Sequence, residues 1–447
     1  MPYGHIHDIL GIGFGPANLA LAIALEESAP GLSARFIEAR DQPRWQPGML
    51  LDGSDIQNHP SRDLVTLRNP RSRYSFLNYL FEQDRLIAHL NLPMEFPLRK
   101  EYAQYISWAA DQFGDVVDCG RRAVGIEVQE RDGERLYVVD TDTGERYVAR
   151  SLVVAPGRTP LIPAPFDGSD SRRVFHLTDY LFRLKELAAD RDPEAVAVIG
   201  GSQSAVELTL DLARRFPRTR VVTYVRSHSL RLKDTSPFSE EGYFPEFTEY
   251  YYQLSREGKR SLDAYMKPTN YSSADGDVLR ELYLMLYEQR LDQDQRVFVK
   301  GNRRTDTVRE VAGGIELGLT EVHTGAVETD TVDFAVLATG FRNLGPGPDE
   351  EPHPPLLAGL ADRLAREPDG RLDVRADYSL TPLDGDGALP PLFLNGLCES
   401  SHGIGDAGSF SLLSLRASVI ADALRKGLGD GAGSAPPERP VTVGAAG

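Results

Sequence analysis

Two glycine-rich turns, set far apart in one chain, constrain the fold more than any other feature of the sequence. Near the start, Asp8-Ile-Leu-Gly-Ile-Gly-Phe-Gly-Pro-Ala-Asn18 reads as a buried strand, a tight turn and a helix. Mid-chain, Ala195-Val-Ala-Val-Ile-Gly-Gly-Ser-Gln-Ser-Ala205 repeats the pattern. A strand that passes through small residues into a helix brings backbone N–H groups and a helix N-terminus up to a pyrophosphate. Tight packing alone can ask for one such turn. Two of them at this separation predict an α/β protein with two Rossmann-like units, each holding a dinucleotide.

The details of the turns choose between dinucleotides. The first reads Gly13-x-Gly15-x-x-Asn18, with Pro16 opening the helix and Glu38 ending the next strand, Ala34-Arg-Phe-Ile-Glu38. A carboxylate there accepts both ribose hydroxyls of an adenosine, which favours FAD or NAD. The second reads Gly200-x-Ser202-x-x-Ala205, with Gln203 and Ser204 in its turn, and the strand after it runs into Arg226. An arginine at that place suits a 2′-phosphate, so NADPH is expected rather than NADH. Two further runs, Ser151-Leu-Val-Val-Ala-Pro-Gly157 and Val332-Asp-Phe-Ala-Val-Leu-Ala-Thr-Gly-Phe341, end apolar chain in small residues. By fold-level analogy they mark the crossings between two nucleotide domains, which puts Thr339 and Gly340 beside a cofactor.

Composition narrows the classes. The 447 residues suffice for two cored domains, and the formal charge of -17 argues against binding a phosphate backbone. No apolar run approaches the roughly 20 residues of a membrane span, and the start of the chain goes straight into the first strand, so a cytoplasmic protein is expected. Cys119 and Cys398 lack Cys-x-x-Cys spacing, which removes disulfide-reductase chemistry, and the nine histidines show no metal-ligand spacing. The expected order is an FAD-binding part over residues 1–160 and an NADPH-binding domain over 163–325. The latter carries an aromatic-rich helical insertion at about 234–290 that covers a site. A second FAD-binding part follows over 326–426, then a disordered tail over 427–447.

Several segments together resemble the siderophore-type N-hydroxylating flavin monooxygenases. They are Gly11-Ile-Gly-Phe-Gly-Pro-Ala-Asn-Leu19, Asp63-Leu-Val-Thr-Leu-Arg-Asn-Pro-Arg-Ser72, Asp234-Thr-Ser-Pro-Phe238, Thr269-Asn-Tyr-Ser272, Ala338-Thr-Gly-Phe341 and His402-Gly403. The resemblance covers nearly the whole chain apart from the tail and leans to the ornithine branch. It implies an enzyme in which NADPH reduces FAD, O2 forms a C4a-hydroperoxyflavin, and the terminal amine of ornithine, lysine or a diamine takes one oxygen atom. It implies a homo-oligomer, often a tetramer, with Gln57 beside the flavin ring. Asn270, through its backbone carbonyl, and Ser411 would hold the substrate. Trp45 and the aromatic insertion would keep water away from the flavin.

Two departures from the family pattern bear on the substrate. Where the family places a lysine that grips the substrate carboxylate, this chain has Arg62, and where it places a carboxylate-touching asparagine, this chain has Glu240. An arginine still holds a carboxylate, through a different approach. Glu240 pairs with Arg62, or receives a cation such as the far ammonium of putrescine or cadaverine, or is a solvated loop residue. Two other readings of the whole chain stay open at this level: a Baeyer–Villiger or sulfur-oxidising flavin monooxygenase, whose Phe-x-Gly-x-x-x-His-x-x-x-Trp fingerprint is absent, and a non-catalytic flavin-binding protein.

Overall fold

The computed structural model describes residues 5–383, 389–406 and 408–429. Its strands, in chain order, are β1 (Ile6–Ile12), β2 (Ala34–Glu38), β3 (Val117–Cys119), β4 (Ala123–Arg131), β5 (Glu134–Thr141), β6 (Arg146–Val154), β7 (Val174–His176), β8 (Ala195–Ile199), β9 (Arg220–Tyr224), β10 (Val297–Lys300), β11 (Arg303–Val311), β12 (Gly314–Glu321), β13 (Val327–Val332), β14 (Phe334–Leu337) and β15 (Leu392–Leu394). They form two α/β units. The first sheet runs β3-β2-β1-β6-β5-β4, with β15 also on β6. The second runs β10-β9-β8-β14-β7, and β11-β12-β13 form a separate small sheet.

Strand composition explains the pairing. The pairs β1–β2, β1–β6 and β6–β15 are parallel, as is the whole second sheet. Strands covered on both faces read as continuous apolar runs, such as Leu152, Val153 and Val154 or Val196, Ala197 and Val198, all fully buried. The helix Pro16–Ser28 is apolar nearly all round, with Leu19 to Leu25 buried, because it lies between the first sheet and the C-terminal helix Leu413–Leu428. In open parallel sheets ligands gather at the carboxyl ends of the strands. Both glycine turns sit there, after Ile12 and after Ile199.

Two expected boundaries move. β13 and β14 belong with the second unit: β14 lies between β7 and β8 in its sheet, so the chain returns to the first unit after Leu337 rather than at residue 326. A short apolar strand at a domain crossing carries no mark of which sheet it joins; hydrogen bonding to β8 decides it. The expected insertion contains helices at Pro237–Glu240, Pro245–Gln253 and Arg256–Asn270, but its last helix, Gly276–Leu291, packs on the helix Gln203–Arg215 and buries Leu282 in the second core. The C-terminal helix extends through Leu428, and the tail from residue 430 onward lies outside the described residues.

Candidate active site

At the first turn, Gly13 has a φ of 86°, and a Cβ there would stand 2.3 Å from the Ala155 carbonyl oxygen, so only glycine fits. Gly15 is different. Its φ of -76° suits any residue, and a Cβ would meet nothing within 4 Å. That open space lies at the N-terminus of the helix that Pro16 begins, where the N–H groups have no partner within the helix. A pyrophosphate fits this cradle. Glu38 ends β2 and accepts the Phe14 N–H at 2.8 Å and the Arg40 N–H at 2.9 Å, which fixes its carboxylate beside the turn. Asn18, expected among the cofactor contacts, is fully buried and serves the fold. Its amide donates to the Gly13 carbonyl at 2.8 Å and accepts from Asn395 at 3.1 Å, filling the space a third glycine leaves for packing.

The second turn follows the same design. A Cβ on Gly200 would stand 2.4 Å from the Ala338 carbonyl oxygen, so β8 and β14 pack at glycine distance. Ser202 is the N-cap of the helix Gln203–Arg215, its side chain does not cap it, and Ser204 stands half-buried beside it. These residues fit the phosphates of a second dinucleotide, and Arg226, expected at a 2′-phosphate, is exposed just past β9. Gln203, expected at the phosphates, is engaged by the protein on three sides. Its N–H donates to Ser273, its amide nitrogen to Glu207 at 3.0 Å, and its amide oxygen accepts the Asp275 N–H at 2.8 Å. Thr339 Oγ1 donates to the Leu161 carbonyl at 2.5 Å, and Gly340 accepts from His176 at 2.8 Å, so both brace the crossing segments.

Between the turns, the structure brings together most of the remaining candidates. Arg62 and Glu240 face each other at 3.8 Å, half-buried: near enough to neutralise each other, beyond the reach of a hydrogen bond. Burial pushes the Glu240 carboxyl up, while Lys233 and then Arg62 pull it down. The Asn58 amide donates to the Arg62 carbonyl at 2.8 Å, and the buried Ser411 hydroxyl reaches Asn58 at 3.5 Å. Trp45 packs edge-on against Phe410 and Tyr102, and Tyr102 Oη donates to the Arg62 carbonyl at 3.3 Å. Gln57, with a left-handed φ of 52°, sends its amide nitrogen to the Asp275 carboxylate. Asn270 is the last residue of the helix Arg256–Asn270. Beside it opens a cavity of about 500 Å³ lined by Tyr271, Lys267, Asp263, Asn343 and Glu399. Tyr271 Oη donates to Glu399 at 2.5 Å, and burial pushes that carboxyl up to about 6.

Sequence reading did not single out Lys233, Asp275, Asn58 or Glu399. No spacing marks them; they reach the site only because loops from both units converge. Among the described residues no group of three or more potential metal ligands occurs, and no helix is long and apolar enough to cross a membrane.

Comparison with known proteins adds an independent line. Residues 5–343 match the model of the L-lysine 6-monooxygenase/L-ornithine 5-monooxygenase family. An L-ornithine N(5)-monooxygenase of Burkholderia cepacia is 40% identical over 410 residues, covering 89% of this chain and 90% of the relative. The reduced form of an ornithine hydroxylase from Pseudomonas aeruginosa superposes with a TM-score of 0.86 at 32% identity, over 95% of this chain and 100% of that one. An ornithine N-hydroxylase of Kutzneria sp. 744, solved with reduced FAD, NADP+ and L-ornithine, superposes with a TM-score of 0.87 at 30% identity, over 94% and 99% of the two chains.

Proposed function

The chain belongs to the L-lysine 6-monooxygenase/L-ornithine 5-monooxygenase family, and on that premise we propose that it N-hydroxylates the terminal amine of L-ornithine, with FAD at the first turn and NADPH at the second. The observation that carries the substrate reading is the Arg62–Glu240 pair, a positive and a negative side chain 3.8 Å apart beside Asn58 and Ser411. An α-amino acid presents the complementary pair at its own head. Arg62 takes the α-carboxylate and Glu240 the α-ammonium.

A bound reduced flavin supplies the electrons that activate O2, one atom of which goes to the amine and the other to water. The chain's own residues do the rest. Only the neutral amine has a lone pair to react, and an amine of pKa ~10.4 costs roughly 3 kcal/mol to deprotonate at about pH 8. The Asn270 carbonyl, at the negative end of its helix, accepts an amine N–H and aims the lone pair. Trp45, Phe410 and Tyr102 form an apolar wall that limits water. The product, one acylation from a hydroxamate, suits iron-chelating siderophore synthesis. Reaction with O2 in the cytoplasm, and assembly into a homo-oligomer, belong to the same reading.

Glu240 favours a second reading, a diamine whose far ammonium it would receive. The two separate in one assay: hydroxylamine formed per NADPH oxidised, with peroxide counted, across L-ornithine, L-lysine, putrescine and cadaverine. Tight coupling with L-ornithine is expected, and Arg62→Ala should raise its KM by roughly 10- to 100-fold. Coupling with diamines alone would replace the first reading by the second. Peroxide with every amine would overturn both.

A further inference from the structure

Asp275 is the N-cap of the helix Gly276–Leu291, and aspartate is among the best residues for that position, where its carboxylate normally accepts N–H bonds of the first turn. Here the carboxylate makes no cap bond. One oxygen accepts the amide N–H of Gln57, and the other faces Lys233 Nζ at 3.7 Å. The Asp275 N–H donates to the Gln203 amide oxygen at 2.8 Å, while the Gln203 N–H donates back to Ser273 at 2.9 Å, so two reciprocal bonds lash residues 273–275 to the first residue of the helix after the second glycine turn. Gln203 is itself held, through Glu207, by Arg99 of the first unit. Gln57 lies at a φ of 52°, a conformation that disfavours a non-glycine residue and persists only where surrounding contacts impose it.

We propose that Asp275 is a positioning residue that ties the second dinucleotide turn to Gln57, so that occupation of the turn and placement of the Gln57 amide are set together. The proposal rests on the reading that NADP(H) binds this turn and that Gln57 faces the flavin. Linkage makes the tie reciprocal: whatever a dinucleotide at the turn does to Gln57, Gln57 does to the dinucleotide's affinity.

The test is a double-mutant cycle on the FAD-loaded enzyme, with NADP+ affinity measured by calorimetric titration, a readout that needs no turnover. Asp275→Ala and Gln57→Ala should each weaken NADP+ at least fivefold, and the double variant should be no weaker than the worse single one. Asp275→Asn, which keeps an acceptor for the Gln57 amide, should stay within about twofold of the parent and guards against a folding defect in Asp275→Ala. Unchanged affinity in Asp275→Ala, or losses that multiply in the double variant, overturns the proposal. So does a parent enzyme that does not bind NADP+. An enzyme that binds NADP+ and shows the cycle but hydroxylates no amine leaves this tie standing and removes the amine hydroxylation instead.

Discussion

Asp55 shows what a single buried carboxyl does at the seam between the units. Burial pushes its pKa up to about 6, and the carboxylates of Glu207, Asp275 and Asp277 add to the rise against the one N–H it accepts, from Gln57 at 2.9 Å. A carboxyl whose folded pKa exceeds its unfolded one binds more protons when folded between the two values. Stability therefore falls as pH rises from about 4 to about 6 and stays lower above that. Asp55→Asn keeps the acceptor and loses the charge, so it should raise stability by about 1–3 kcal/mol at pH 7.5, with the gain gone at pH 4. Thermal unfolding of both proteins across that range checks it, and a gain independent of pH would reject the buried charge as its cause.

At the scale of the element, the first turn separates a glycine that packing requires from one that packing does not. A Cβ on Gly13 would collide with the Ala155 carbonyl, whereas a Cβ on Gly15 meets only open space. Gly15→Ala should therefore fold with the parent's circular dichroism yet purify with little flavin, while Gly13→Ala should lower stability as well; flavin absorbance per protein, with a melting curve, distinguishes them. Both turns were legible in the sequence because strand, small residues and helix are contiguous there. The charges around Arg62 were half legible: Arg62 and Glu240 stand out as departures from a family pattern, but Lys233 and Asp275 have no local mark and enter through loop convergence. The protein partners of Asn18 and Gln203 were not legible, since an amide in a turn serves the backbone or a ligand equally well until its partners are known.

For the whole molecule, the seam is held by a buried ion pair. Arg99, on a helix of the first unit, grips Glu207, on the helix after the second turn, with two bonds of 2.9 and 3.1 Å, and its guanidinium also donates to the Met49 carbonyl at 3.2 Å. Removing one member of such a pair strands the other charge in a dry place, at about 3–5 kcal/mol. Arg99→Met should therefore lower the unfolding free energy by roughly that amount, and Arg99→Met with Glu207→Met should recover much of it. Chemical denaturation measures both, and equal losses in the single and double variants would show that the pair contributes through shape rather than charge.

The amide of Asn18 closes the first turn, and it is held in turn by Asn395, which accepts a bond from Arg416 at 2.9 Å; Arg416 also pairs with Asp406, all of them buried. A ribosome therefore delivers the first seven-residue strand of this protein long before it delivers the clasp that locks the strand's turn. Flavin capture should belong to the end of synthesis rather than its beginning: a nascent chain stalled at residue 343, with the whole of the first turn already outside the tunnel, should emerge colourless, and colour should come only when the last helix joins.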